Sequence, residues 1–160
     1  MNRWAAFLFI LASCGMQTTP QPSQTATAAP VTGPRVVLPD GAVIRVEVAS
    51  DDATRAQGLM YRDHLADDRG MVFLFPQTGS YPFWMKNTLI PLDMIWIDEQ
   101  KRVVHISPAV PPCKADPCPS YDPGVFSRYV LEVAGGVAGR HHLATGQTIR
   151  FEEMDNVVVR

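Results

Sequence analysis

The chain has 160 residues, 46% hydrophobic and 19% charged, with a formal net charge of −2. That length suits a single domain with a proper core plus a tail. The near-neutral charge, with no cluster of Lys and Arg, argues against nucleic acid as a partner.

The first element is an address. Met1-Asn2-Arg3 precedes an apolar run, Trp4 to Leu11, and then the small residues Ala12-Ser13. A basic start, a short apolar stretch and small residues make a secretory signal over residues 1–13. The run is shorter than the roughly 20 residues that span a bilayer. Leu11-Ala12-Ser13-Cys14 is similar to a bacterial lipobox, with Cys14 as the lipid-modified first residue of the mature chain. The alternative is an ordinary signal peptide with a chance cysteine. Residues 14–34 are uncharged and rich in Pro, Thr and Gln. They cannot bury enough apolar surface to offset their ordering entropy, so they read as a tether. The expectation is an exported protein, lipid-anchored on the periplasmic face of the cell envelope, with one globular domain over 35–160.

Val36-Val37-Leu38, the turn Pro39-Asp40-Gly41 and the alternating run Val43 to Val48 predict a hairpin. Ser50-Asp51-Asp52 offers N-caps for a helix over 53–57, which Gly58 ends or bends. Met71 to Phe75 is a strand and Pro76 to Ser80 a loop. Met85 and Leu92 to Ile97 read as two strand pieces around a bend at Pro91. In the second piece Leu92, Met94 and Trp96 share one face, and Asp93, Ile95 and Ile97 the other. Asp98 to Lys101 turns the chain and Val103 to Ile106 pairs back. A long proline-rich loop covers 107–127. Arg128 to Val133 is a strand, Ala134 to Leu143 a short helix weakened by Gly135 and Gly136, and Gln147 to Phe151 a last strand. About seven strands joined by tight turns predict an α+β domain: a small, mostly antiparallel, barrel-like sheet with two short helices.

Within the 107–127 loop, Cys113 and Cys118 are separated by four residues. In an oxidising compartment two nearby cysteines most simply bond to each other. The spacing is not the Cys-x-x-Cys of redox enzymes.

Five segments occur in order: Gly58-Leu59-Met60-Tyr61-Arg62, Gly70-Met71-Val72-Phe73-Leu74-Phe75, Phe83-Trp84-Met85-Lys86-Asn87-Thr88, Pro91-Leu92-Asp93 and Arg128-Tyr129-Val130-Leu131-Glu132. Together they resemble the domain-of-unknown-function 192 family, over nearly all of residues 41–152. The resemblance implies a small α+β, barrel-containing domain, often exported. It brings no reaction and no catalytic residues.

The run from Phe83 to Asp98 sets Lys86, Asn87, Thr88 and Asp93 among residues that otherwise read as sheet core. Buried polar groups need partners or cost a few kcal/mol each, so the run marks a polar knot or a pocket. The candidate ligand-binding residues are Arg62, Trp84, Lys86, Asn87, Thr88, Asp93 and Glu132. If the bend at Pro91 folds the two strand pieces together, Lys86 and Asp93 face one pocket. Asp93 and Lys86 are then the candidate catalytic pair, Asp93 as general base. Asn87 and Thr88 would orient a ligand, and Trp84 would stack on a flat or sugar-like one. The structural alternative is that Lys86–Asp93 or Arg62–Glu132 is a buried ion pair that fixes register.

Other chemistries are weaker. Met60, Met71, Met85, Met94 and Met154, with His105, His141 or His142, carry donors that suit Cu(I), but in predicted core strands methionine is ordinary filler. No serine nucleophile elbow or phosphate loop appears. The resulting expectation is a binding or accessory module without cofactor or metal. Its ligand is a small molecule, a glycan or an envelope protein, its pocket lies around the Trp84–Asp93 run, and the Cys113–Cys118 loop serves as a lid. The alternatives are a small hydrolase or lyase built on Asp93, and a purely structural polar run.

Overall fold

The computed structural model describes residues 32–160. The signal segment, Cys14 and the linker as far as residue 31 lie outside the described residues. The elements are β1 (Arg35–Val37), β2 (Val43–Ala49), α1 (Asp52–Gln57), β3 (Arg69–Gly79), β4 (Phe83–Trp84), β5 (Leu92–Ile97), β6 (Val103–Val110), β7 (Ser120–Tyr121), β8 (Ser127–Ala134), α2 (Val137–Arg140) and β9 (Arg150–Glu152).

Seven strands form one sheet in the order β6-β5-β8-β3-β2-β1-β9, and β4 pairs with β7 in a separate ribbon. The sheet is mixed, which corrects the expectation of a mostly antiparallel one: β2 and β3 run parallel. The cause is local. Asp51 caps α1 by accepting from the Thr54 backbone, and the Thr54 hydroxyl engages the Asp51 backbone in return. This capping box turns the chain off the sheet, and the long 50–68 connection lets it return in the same direction. The sheet curls into a half-barrel. At one end its edges touch: Val103 N–H donates to Gln147 at 2.8 Å, and Ile149 N–H to Lys101 at 3.0 Å.

Both faces of the sheet are apolar. Val72, Leu74, Ile95, Ile97, Leu131 and Val133 pack on one side with Val137 and Ala138 of α2. Met71, Phe73, Leu92, Met94, Trp96 and Val130 pack on the other. The alternation expected for 92–97 therefore holds, with each set buried in its own core. Met71, Met85 and Met94 sit among aromatic and aliphatic side chains as fillers.

Two further expectations are corrected. The predicted 76–80 loop is largely strand: β3 continues to Gly79, which pairs with Ser127 after an irregularity beyond Leu74. Pro76 is tolerated because the regular ladder stops there. Met85 is not in a strand; it is buried just beyond β4. Cys113 and Cys118 form a disulfide in the loop between β6 and β7.

Candidate functional site

The site is built from α1, β3, β4 and β8. On β3 the two-residue period puts Phe73 and Phe75 on one side of the sheet. Phe83 of β4 meets Phe73 edge-on, with ring centroids 4.9 Å apart. Tyr81 stacks on Phe75 at 3.6 Å. The Trp96 indole N–H donates to the Tyr81 carbonyl at 2.8 Å, which ties the turn before β4 to the sheet. β4 is held from outside by β7, with Trp84 opposite Ser120. These rings wall a cleft of about 280 Å³, entered past Trp84, which is half exposed.

Glu132 lines this cleft from β8. It sits opposite Met71 on β3 and Met94 on β5, and is only 4% exposed. It has no hydrogen-bond or ion-pair partner among the described residues. Burial among apolar groups disfavours the charged form and pushes its pKa up from 4.5 to about 8. Thr88 is buried and also lines the cleft. Lys86 stands at the rim, its ammonium 5.7 Å from the Trp84 ring centroid and 3.4 Å from the Asp116 carboxyl.

Gly58 forms part of the wall at the end of α1, with φ +48° and ψ −136°. A Cβ there would lie 3.3 Å from the Phe73 ring. Gly58→Ala is expected to cost roughly 1–3 kcal/mol, since a side chain is strained at that backbone conformation. Urea denaturation checks it; an unchanged midpoint would show that the turn relaxes freely.

Trp84, Lys86, Thr88 and Glu132 are thus brought together. Asp93, Arg62 and Asn87 are not part of the cleft lining. Asp93 is fully buried on the opposite face of the sheet from Glu132. One carboxyl oxygen accepts from Ala109 N–H at 2.7 Å and Gly136 N–H at 2.9 Å; the other accepts from Ala138 N–H at 2.7 Å. Lys86 and Asp93 do not meet because β4 and β5 fall in different sheets. Arg62 forks onto Glu47 with two contacts of 2.6 Å, which raises its pKa, and it makes no pair with Glu132. Asn87 adopts φ +56° and accepts from Tyr61 N–H through its carbonyl at 2.8 Å. It closes the turn after β4. The disulfide loop abuts Lys86 and Asn87 but contributes no residue to the cleft lining, so it buttresses the rim and does not cover it.

The residues that sequence reasoning did not single out are the aromatic walls: Phe73, Phe75, Tyr81 and Phe83. The alternation of Phe73 and Phe75 was their only local signal.

Two crystal structures are similar to this chain. One is a protein of unknown function from Novosphingobium aromaticivorans DSM 12444, 34% identical, covering 73% of this chain and 82% of its own, with a TM-score of 0.67. The other is a putative transcription regulator from Sinorhizobium meliloti 1021, 36% identical, covering 74% of this chain and 91% of its own, with a TM-score of 0.65. No curated protein matches. The family model DUF192, described as "Uncharacterized ACR", matches residues 35–151. The cleft, Glu132 and every strand but the last residue of β9 lie within that match, and the chain belongs to the DUF192 family.

Proposed function

We propose that the protein is a binding module that takes a small ligand in the aromatic cleft floored by Glu132. We further propose that Cys14 tethers it to the cell envelope. One observation carries the binding reading: Glu132 is buried, lacks a partner among the described residues and opens onto a cleft. A carboxyl kept only for the fold would have a partner, as Asp93 does three times over. Keeping such a group at a cost to stability is a pattern of functional sites. Trp84 gives an incoming ligand a flat surface at the mouth, and Thr88 gives it a hydroxyl deeper in.

The geometry does not favour a hydrolase or lyase built on Asp93. Both of its oxygens are engaged by backbone donors on the far face of the sheet. A regulator of transcription, as the Sinorhizobium meliloti relative is described, also draws no support from this chain, whose net charge is −2.

The test is a screen of small aromatic and sugar-derived fragments by amide NMR shifts. Hits are expected to move the amides of Gly58, Thr88 and Glu132 together, and to weaken at least about tenfold on Trp84→Ala, the loss of one stacking surface. Shifts scattered away from the cleft, or hits indifferent to Trp84, would remove the reading.

A further inference from the structure

We propose that the ligand of this cleft carries an ammonium group, seated between the Glu132 carboxyl and the aromatic rings, an inference that rests on the binding reading above.

Three observations support it. First, Glu132 is the one acidic side chain that lines the cleft among the described residues, and it is unpartnered there. Beside a carboxyl this buried, a ligand cation gains more from the charge than a neutral donor does. Second, the walls are rings. Phe73, Phe75, Tyr81, Phe83 and Trp84 surround the space, and the negative faces of aromatic rings attract cations. Two of them already hold one from the protein: Arg55 lies 5.5 Å over Phe75 and Lys86 5.7 Å over Trp84. Third, those two cations are committed elsewhere. Arg55, from α1, donates to the Leu74 carbonyl at 2.8 Å and to Asp52 at 2.7 Å. Lys86, from the turn after β4, pairs with Asp116. Neither pairs with Glu132, and β3, β4 and β8 add no other charged side chain to the lining. Tyr81, the remaining titratable group of the wall, donates its hydroxyl to the Gln77 carbonyl at 2.7 Å. The floor is therefore left for a cation from outside. The volume, about 280 Å³, suits a small amine rather than a large one.

Binding has a proton signature. With its pKa near 8, Glu132 holds its proton at neutral pH in the free protein. Pairing with an ammonium ionises it, so one proton leaves to solvent as the ion pair forms, and no bond to carbon changes.

The experiment compares benzylamine, as its cation, with benzyl alcohol, by calorimetry in two buffers of different ionisation enthalpy between pH 6 and 9. Benzylamine is expected to bind about tenfold tighter per pH unit up to about pH 7.5, to release close to one proton, and to lose at least tenfold on Glu132→Gln. Benzyl alcohol is expected to bind weakly with no pH dependence. If the alcohol binds as tightly as the amine, or the amine's affinity is flat with pH, the ammonium assignment fails while the binding cleft stands. If neither shifts the cleft amides at millimolar concentration, the binding reading fails with it.

Discussion

Asp93→Ala is expected to destabilise the domain by about 4 kcal/mol or more, the loss typical of a buried, multiply hydrogen-bonded acid. The carboxyl is wholly buried and accepts three backbone N–H groups. Two of those donors, at Gly136 and Ala138, belong to the start of α2, whose own N-cap is a glycine with no side-chain bond to offer. Asp93 thus caps α2 from a neighbouring strand and ties the end of β6 to the same point through Ala109. Alanine leaves all three donors unmatched, that of Ala138 buried and those of Ala109 and Gly136 partly so. The milder substitution, Asp93→Asn, keeps one carbonyl oxygen but turns an amide N–H₂ toward a donor, so a loss of roughly 2–3 kcal/mol is expected. Urea unfolding of both variants measures this. A loss below about 1 kcal/mol for Asp93→Ala would mean that water replaces the carboxyl, and the capping role would be wrong.

Glu132→Gln is expected to do the opposite, stabilising the protein as pH rises. The folded-state pKa is raised above the ordinary carboxyl value, from 4.5 to about 8, by burial. Below about pH 4.5 the group is protonated in both folded and unfolded chains and costs nothing. Above that, the unfolded chain ionises while the folded one does not. Stability therefore falls with rising pH, and the loss is complete once the pH passes about 8. That rise corresponds to about 5 kcal/mol at the top of that window and about 3 kcal/mol at pH 7. Glutamine keeps the shape and cannot ionise. The two proteins are expected to match near pH 4.5 and to diverge steadily up to pH 8, the variant being the more stable. Other carboxyls add their own pH dependence to both, so the difference between the two curves is the measurement. Parallel curves would show that water or a counter-ion already reaches Glu132, and the unpartnered floor of the cleft would be gone.

Much of the fold was readable from residues. The Asp51 cap, the Gly58 stop and the alternation over 92–97 are local signals, and each led to the right element. The parallel β2–β3 pair was not readable, because direction depends on how the 50–68 connection packs, and no short pattern encodes that. The site was half readable. Trp84, Lys86 and Thr88 announced themselves as polar or aromatic residues beside a core strand. Asp93 stood out for the same reason, yet its partners are 16, 43 and 45 residues away, so nothing nearby distinguishes a cap from a base. Glu132 was a candidate binding residue too, but it was paired with Arg62, which the structure commits to Glu47. It became a buried floor because side chains pack on both faces of β8, which depends on residues far away in the chain.

That order also bears on biogenesis. β8 lies between β3 and β5, yet it is among the last strands to be synthesised. A chain that stops before Ser127 has two strongly apolar strands, each with an open edge where β8 belongs. Such edges recruit other chains. N-terminal fragments that end before β8 are therefore expected to aggregate, and the sheet closes only once Ser127–Ala134 is available.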